Sequence, residues 1–172
     1  VLDLVEGIAS CHAGQDSRRS VLNVLAEPGP GDGLAGGRQT LSAGAPDDRM
    51  RLFWHRGDAR TRDNAGLAAA AREGEVVPMF VYDSDLLATV GARQRALFLR
   101  NVKDLEARYR ELGSDLIVRA GDPDEVLVDL ADEYDAEAVY YDEHYRPARR
   151  NRQRAVEDAL AGAGVETDSR TD

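Results

Sequence analysis

The densest concentration of reactive side chains lies in the stretch WHRGDARTRDN, where His55, Arg56, Asp58, Arg60, Arg62 and Asp63 fall within one short span. Guanidinium forks of this kind hold an anion or a carbonyl-rich ring, and carboxylates accept from ring nitrogens. The same residues could equally form ion pairs that tie the segment to neighbouring loops or to another domain. Arg56 and Asp58 lead under either reading. A second concentration is YYDEHYRPARRNRQR, which carries five arginines from Arg146 to Arg154 with no acid among them. Cations at a helix N-terminus oppose its dipole, so they require compensation. Asp142, Glu143, Glu157 and Asp158 are near enough in sequence to supply it as an internal network, and contact with a cofactor or another domain is the alternative. Trp54, Phe80, Tyr82, Tyr140 and Tyr141 fall on strand-like runs, where packing explains them, although Trp54 and Tyr82 sit at strand ends and could stack on a ring.

Other chemistries find little support. The histidines at positions 12, 55 and 144 lack metal-ligand spacing, Cys11 is the sole cysteine, and no Ser, Cys or Thr sits in a nucleophile turn. Neither a metal site nor a disulfide is expected. Gly31 to Gly36 spell G-D-G-L-A-G, the letters of a dinucleotide fingerprint, but Pro28 and Pro30 precede them and no helix pattern follows, so the match is read as accidental. No phosphate-binding G-x-x-x-x-G-K loop occurs.

The elements that must position these residues begin at Met50. From there, short apolar or β-branched runs alternate with segments of helical period. Strands are predicted at 51–55, 76–82, 115–119 and 138–141, with Pro78 weakening the second, and Val165 opens a fifth. Helices are predicted at 64–72, capped by Asp63 or Asn64, and at 93–112, with Leu97, Val102, Leu105, Tyr109 and Leu112 on one face and Gly113 as the stop. A third runs from Asp122 to about 134, its start marked by Asp122 as cap, Pro123 in the first turn and Glu125 completing a capping box, and a fourth covers 147–161. The expected fold is α/β, a Rossmann-like parallel sheet of four to five strands with right-handed crossovers and helices on both faces. Ligands in such sheets sit beyond the strand C-terminal ends, where strand order reverses. That points to residues 56–62, 82–85 and 142–152.

Residues 1–49 hold eight of the 16 glycines and three of the six prolines, a composition expected of a flexible extension or of an over-extended translation whose true start is Met50. No run approaches the roughly 18 apolar residues of a membrane span, and Asp3 and Glu6 stand where a secretory signal carries positive charge, so a cytoplasmic protein is expected. The formal net charge is -10, which repels phosphate backbones. Lys103 is the only lysine among 22 basic residues, which fits either a high-salt host or a GC-rich genome.

Motif by motif, LFWHRGDARTRDNAGLAAA resembles the opening of the DNA photolyase and cryptochrome family, a strand ending W-x-R-x-D-L-R followed by x-x-D-N-x-x-L. VVPMFVYD, RALFLRNVKDLEARYRELGSDLIVRAGDP and YDEHYRPARRNRQRAV follow in register, so the resemblance covers about residues 50–168. Ala59 stands where leucine is usual, and Gln153 where aspartate is usual. The resemblance implies an N-terminal antenna domain, not catalytic alone, that holds a second chromophore such as a deazaflavin, a folate or another flavin, with deazaflavin favoured in a salt-loving archaeon. Family members bind FAD and damaged DNA through a helical domain that would follow this one and be its partner, and repair of pyrimidine dimers would depend on it. A stand-alone pigment- or nucleotide-binding module and a gene remnant are the alternatives. The implied chromophore contacts are Trp54, Arg56, Asp58, Tyr82, Asp83, Glu143, Tyr145 and Arg149.

Overall fold

A computed structural model describes residues 50–57, 59–143 and 147–171. Five parallel strands form one sheet in the order β3-β2-β1-β4-β5. They are β1 (Met50–His55), β2 (Glu75–Tyr82), β3 (Ile117–Ala120), β4 (Ala136–Asp142) and β5 (Glu166–Arg170). The helices are α1 (Ala65–Glu73), α2 (Ser84–Ala88), α3 (Ala92–Glu111), α4 (Pro123–Glu133) and α5 (Pro147–Gly162).

Central strands of a parallel sheet are covered on both faces, so they read as continuous apolar runs, and their alternation separates two cores. Phe53, Phe80, Tyr82 and Tyr140 project into one core with Leu67 of α1 and Val102, Leu105 and Tyr109 of α3. Leu52, Trp54, Met79, Val81 and Tyr141 project into the other with Leu127 and Leu130 of α4 and Val156 and Leu160 of α5. Helices therefore leave the tips of β1 and β4 toward opposite faces. Strand order reverses between these two strands, the place where ligands of such sheets bind.

The α/β fold and the parallel sheet are as expected, and the fifth strand is complete. Pro78 is tolerated in β2 because pairing with β3 begins only at Met79, leaving that position with one neighbour. Three local expectations need correction. Asp122 occupies the α4 N-cap with extended backbone, but its side chain makes no capping hydrogen bond, so the reciprocal box does not form; Pro123 does sit in the first turn. Leu97 is 60% exposed, because α3 buries only Val102, Leu105 and Tyr109. The α2 helix was not expected at all: a five-residue helix has no periodicity to read. No helix among the described residues is long and apolar enough to cross a membrane.

Candidate functional site

Arg56, the first residue beyond β1, reaches across the switch point. Its Nη1 donates to Gln153 Oε1 at 2.7 Å and to the Asp142 carbonyl at 3.4 Å, and its Nη2 donates to the Arg149 carbonyl at 3.1 Å. The guanidinium lies 4.8 Å from the Trp54 ring centre and 5.6 Å from that of Tyr141. Burial and the nearby Arg149 pull its pKa down, whereas the surrounding Tyr141, Glu157 and Asp142 push it up, with burial the largest influence. Arg56 thereby joins the tips of β1 and β4 to the first turns of α5.

Behind it a hydrogen-bonded chain runs along α5. Gln153 Nε2 donates to Glu157 Oε1 at 3.0 Å, and the Tyr141 hydroxyl donates to the same carboxylate. The amide at position 153 accepts from Arg56 and donates to Glu157 at once, which an ionised aspartate, an acceptor only, could not do. The departure at that position is thus built into a network.

On the β2 side, Asp83 is buried; its Oδ1 accepts from the Leu86 backbone N–H at 2.8 Å, capping α2, and its Oδ2 meets Arg152 Nη1 at 2.5 Å. Of the arginines in the basic stretch, Arg152 is compensated by Asp83, a residue outside the expected set of acids. Asn64 ties α1 to the end of β4: its Oδ1 caps α1 through the Leu67 N–H at 2.7 Å, and its Nδ2 donates to Asp142 Oδ2 at 3.0 Å.

These walls enclose a notch of about 120 Å³ over the tips of β1 and β2. Trp54, Arg56, Asp83 and Arg149 line it, together with apolar Phe80, Val81, Leu86, Leu87 and Phe98 and the ion-paired Arg152. His55 also reaches it, buried, with Nε2 2.6 Å from the Tyr109 hydroxyl. Four of the eight anticipated contacts therefore converge. Tyr82 lies elsewhere, buried against Phe80, its hydroxyl without a hydrogen-bond partner among the described residues. Glu143 is exposed and accepts from Ser169 and Thr171 at 3.1 and 3.3 Å, bracing β5. Asp58 and Tyr145 lie outside the described residues, as do the glycines of 31–36. Sequence reasoning missed the apolar wall from α2 and α3; the available signal was Asp83 as a cap, with the Leu86-Leu87 pair three and four residues on.

A larger hollow, about 810 Å³, opens at the other edge of the sheet, but its rim is dominated by carboxylates such as Glu73, Asp132 and Glu166, and it lies at the strand N-terminal ends. Among the described residues no group of His, Cys, Asp and Glu side chains is arranged to hold a metal ion.

With this geometry in place, the comparisons with known proteins are direct. The family model for DNA photolyase matches residues 51–172. A deoxyribodipyrimidine photo-lyase of Halobacterium salinarum is 44% identical over 126 residues, covering 67% of this chain and 26% of the relative. A cryptochrome DASH of Natronomonas pharaonis is 39% identical over 126 residues, covering 66% and 26%. Among solved structures, an archaeal photolyase from Sulfolobus tokodaii with two FAD molecules superposes with a TM-score of 0.67 at 25% identity, covering 72% of this chain and 29% of that one. A class III photolyase from Agrobacterium tumefaciens gives 0.67 at 24% identity, covering 77% and 27%, a likeness of fold alone. The chain spans about a quarter of the length of the curated relatives it matches.

Proposed function

This chain belongs to the DNA photolyase family, and we propose that its α/β domain is the light-harvesting part of a deoxyribodipyrimidine photolyase, receiving light in a bound chromophore and passing the excitation to FAD held by a helical partner domain. The observation that carries this reading is the notch at the strand tips, lined by apolar Phe80, Leu86 and Phe98 together with Trp54 and Arg56. Such a site suits a flat ring with polar edges: the rings and leucines take its faces, and Arg56 and Arg149 supply donors to carbonyl or anionic edges. Asp58 and Tyr145 belong to the proposed contact set through the family resemblance, and Tyr82 and Glu143 act from behind it by fixing β2 and β5.

A deazaflavin is the preferred occupant, with a folate or a flavin as the other members of the class. The bound pigment would supply visible absorption. The residues of this chain would hold it, orient it and keep water from its face. By the family resemblance, the FAD that receives the excitation would be held by the helical partner. DNA would be engaged through that partner as well, because a net charge of -10 repels phosphates. A cytoplasmic location follows from the same reading.

The test is an absorption spectrum of the purified protein, loaded with deazaflavin and gel-filtered. A visible band that co-elutes and weakens in Arg56→Gln supports the reading. A colourless protein at saturating pigment refutes it.

A further inference from the structure

Trp54 is the only tryptophan among the 172 residues, and it forms a wall of the notch itself. Its indole is 5% exposed, stands edge-to-face with Tyr141 at 5.9 Å, and carries the Arg56 guanidinium 4.8 Å from its ring centre. We propose that Trp54 is an ultraviolet donor built into the site, which passes excitation energy, and not an electron, to the chromophore in the notch. This rests on the light-harvesting reading above.

Two physical facts carry it. Indole emits in the near ultraviolet, where flavins, deazaflavins and reduced folates all absorb, and resonance transfer rises so steeply at short range that a donor bordering its acceptor's site transfers before it emits. Close approach is imposed here because the indole borders the notch. The competing event at contact distance is electron transfer: an excited pigment would take an electron from the indole, its own excitation would be lost, and the antenna would fail. Arg56 acts against that event. A fixed positive charge over the ring disfavours an indole radical cation, and the charge is half-buried, so solvent screens it incompletely. Tyr141, the other oxidisable ring at this point, lies under the same guanidinium at 5.6 Å. Its hydrogen bond to Glu157 gives the phenol a ready proton acceptor, which by itself would ease its oxidation. The guanidinium lying over both rings therefore protects the excited pigment from both, while leaving energy transfer, which moves no charge, untouched.

The whole chain, titrated with a deazaflavin and excited at the red edge of indole absorption, gives the answer without a variant, because one indole accounts for the entire donor signal. The expected result is loss of most of the indole emission, a matching indole-shaped band in the excitation spectrum of the pigment, and a pigment excited-state lifetime no shorter than that of free deazaflavin. Indole emission that is quenched with no sensitised pigment emission, or a shortened pigment lifetime, means that electron transfer prevails and overturns the proposal. A coloured complex with undiminished indole emission overturns it as well. Failure to form any coloured complex is a different outcome, and removes the light-harvesting reading itself.

Discussion

Replacing Asn64 by aspartate is an almost isosteric change whose consequences can be worked out from two distances. Asn64 is buried and does two things: its oxygen caps α1, and its nitrogen donates to Asp142 Oδ2 at 3.0 Å. Aspartate caps as well as asparagine and gains slightly from the helix dipole, by about 0.5 kcal/mol. The second interaction reverses sign. Two carboxylates that close repel by about 5 kcal/mol at an effective dielectric near 20. The protein escapes by protonating one of them, which at pH 7 costs about 4 kcal/mol for a group whose ordinary pKa is near 4. Net of the dipole gain, the variant is expected to lose about 3.5 kcal/mol, a large part of the ~5–15 kcal/mol typical of a domain. The pair's folded pKa is raised above its unfolded value, so the folded variant binds the extra proton more tightly and regains stability as pH falls. By about pH 5 the penalty shrinks to roughly 1 kcal/mol, and it vanishes near the ordinary carboxylate pKa. Urea unfolding of Asn64→Asp and the parent chain at both pH values measures this directly. A variant as stable as the parent at neutral pH, or a loss unchanged by acid, would refute the assignment of this contact.

Three further outcomes are expected. Tyr82→Phe removes a buried hydroxyl that has no partner among the described residues, so it should stabilise the chain by up to about 1 kcal/mol in thermal unfolding. Burial first, and Glu106 second, push the Tyr82 pKa up to about 12, so the parent's stability is whole below the ordinary tyrosine pKa near 10 and falls as pH rises toward the folded value, a decline the phenylalanine variant should show less of. Gly66→Ala should destabilise by about 1–3 kcal/mol, because the added carbon would sit 2.7 Å from Asp142 Oδ1 and 3.0 Å from the Phe53 ring, and that ring is locked in the core; a neutral result in chemical denaturation would mean that β4 and α1 are not packed this closely. A chain of net charge -10 should melt at a higher temperature in molar KCl than in dilute buffer, and calorimetry showing no rise would favour the genomic explanation of its arginine-rich composition.

How much of this was legible follows from which atoms make the contacts. The strands could be read because both faces of the sheet are covered, so β1, β2 and β4 are apolar almost throughout, and the helices between them keep a 3.6 period wherever they touch the sheet. The register of α3 misled for the complementary reason: Leu97 has the right spacing, but only the second half of the helix, from Val102 to Tyr109, is buried. Arg56 stood out by type and position, yet two of its three acceptors are main-chain carbonyls, of Asp142 and Arg149, and a carbonyl leaves no mark in a sequence. The Gln153 bridge was hidden in another way. It looked only like a departure from the usual aspartate, because its two clients, Arg56 and Glu157, lie on a different element and a helical turn away, and only the folded chain brings all three into line.

The size of the notch bears on how the domain works. A flat tricyclic pigment needs a site of roughly 300 Å³ or more to be well enclosed, and the notch offers about 120 Å³. Trp54, Arg56 and Phe98 can grip one end of such a ring, but the remainder would lie over the strand tips beside half-buried Leu86 and Leu87 and near the exposed α3 segment that carries Leu97. A covering surface from the proposed helical partner would bury that remainder, adding about 25 cal/mol for each Å² of apolar surface removed from water. Even a modest ~100 Å² of extra burial is worth about 2.5 kcal/mol, so a longer protein containing both domains should hold the pigment some tens of times more tightly than this chain does. Equilibrium dialysis of one deazaflavin against both proteins measures the ratio. Equal affinities would mean that the strand tips close over the pigment unaided, and the partner's contribution to the site would have to be abandoned.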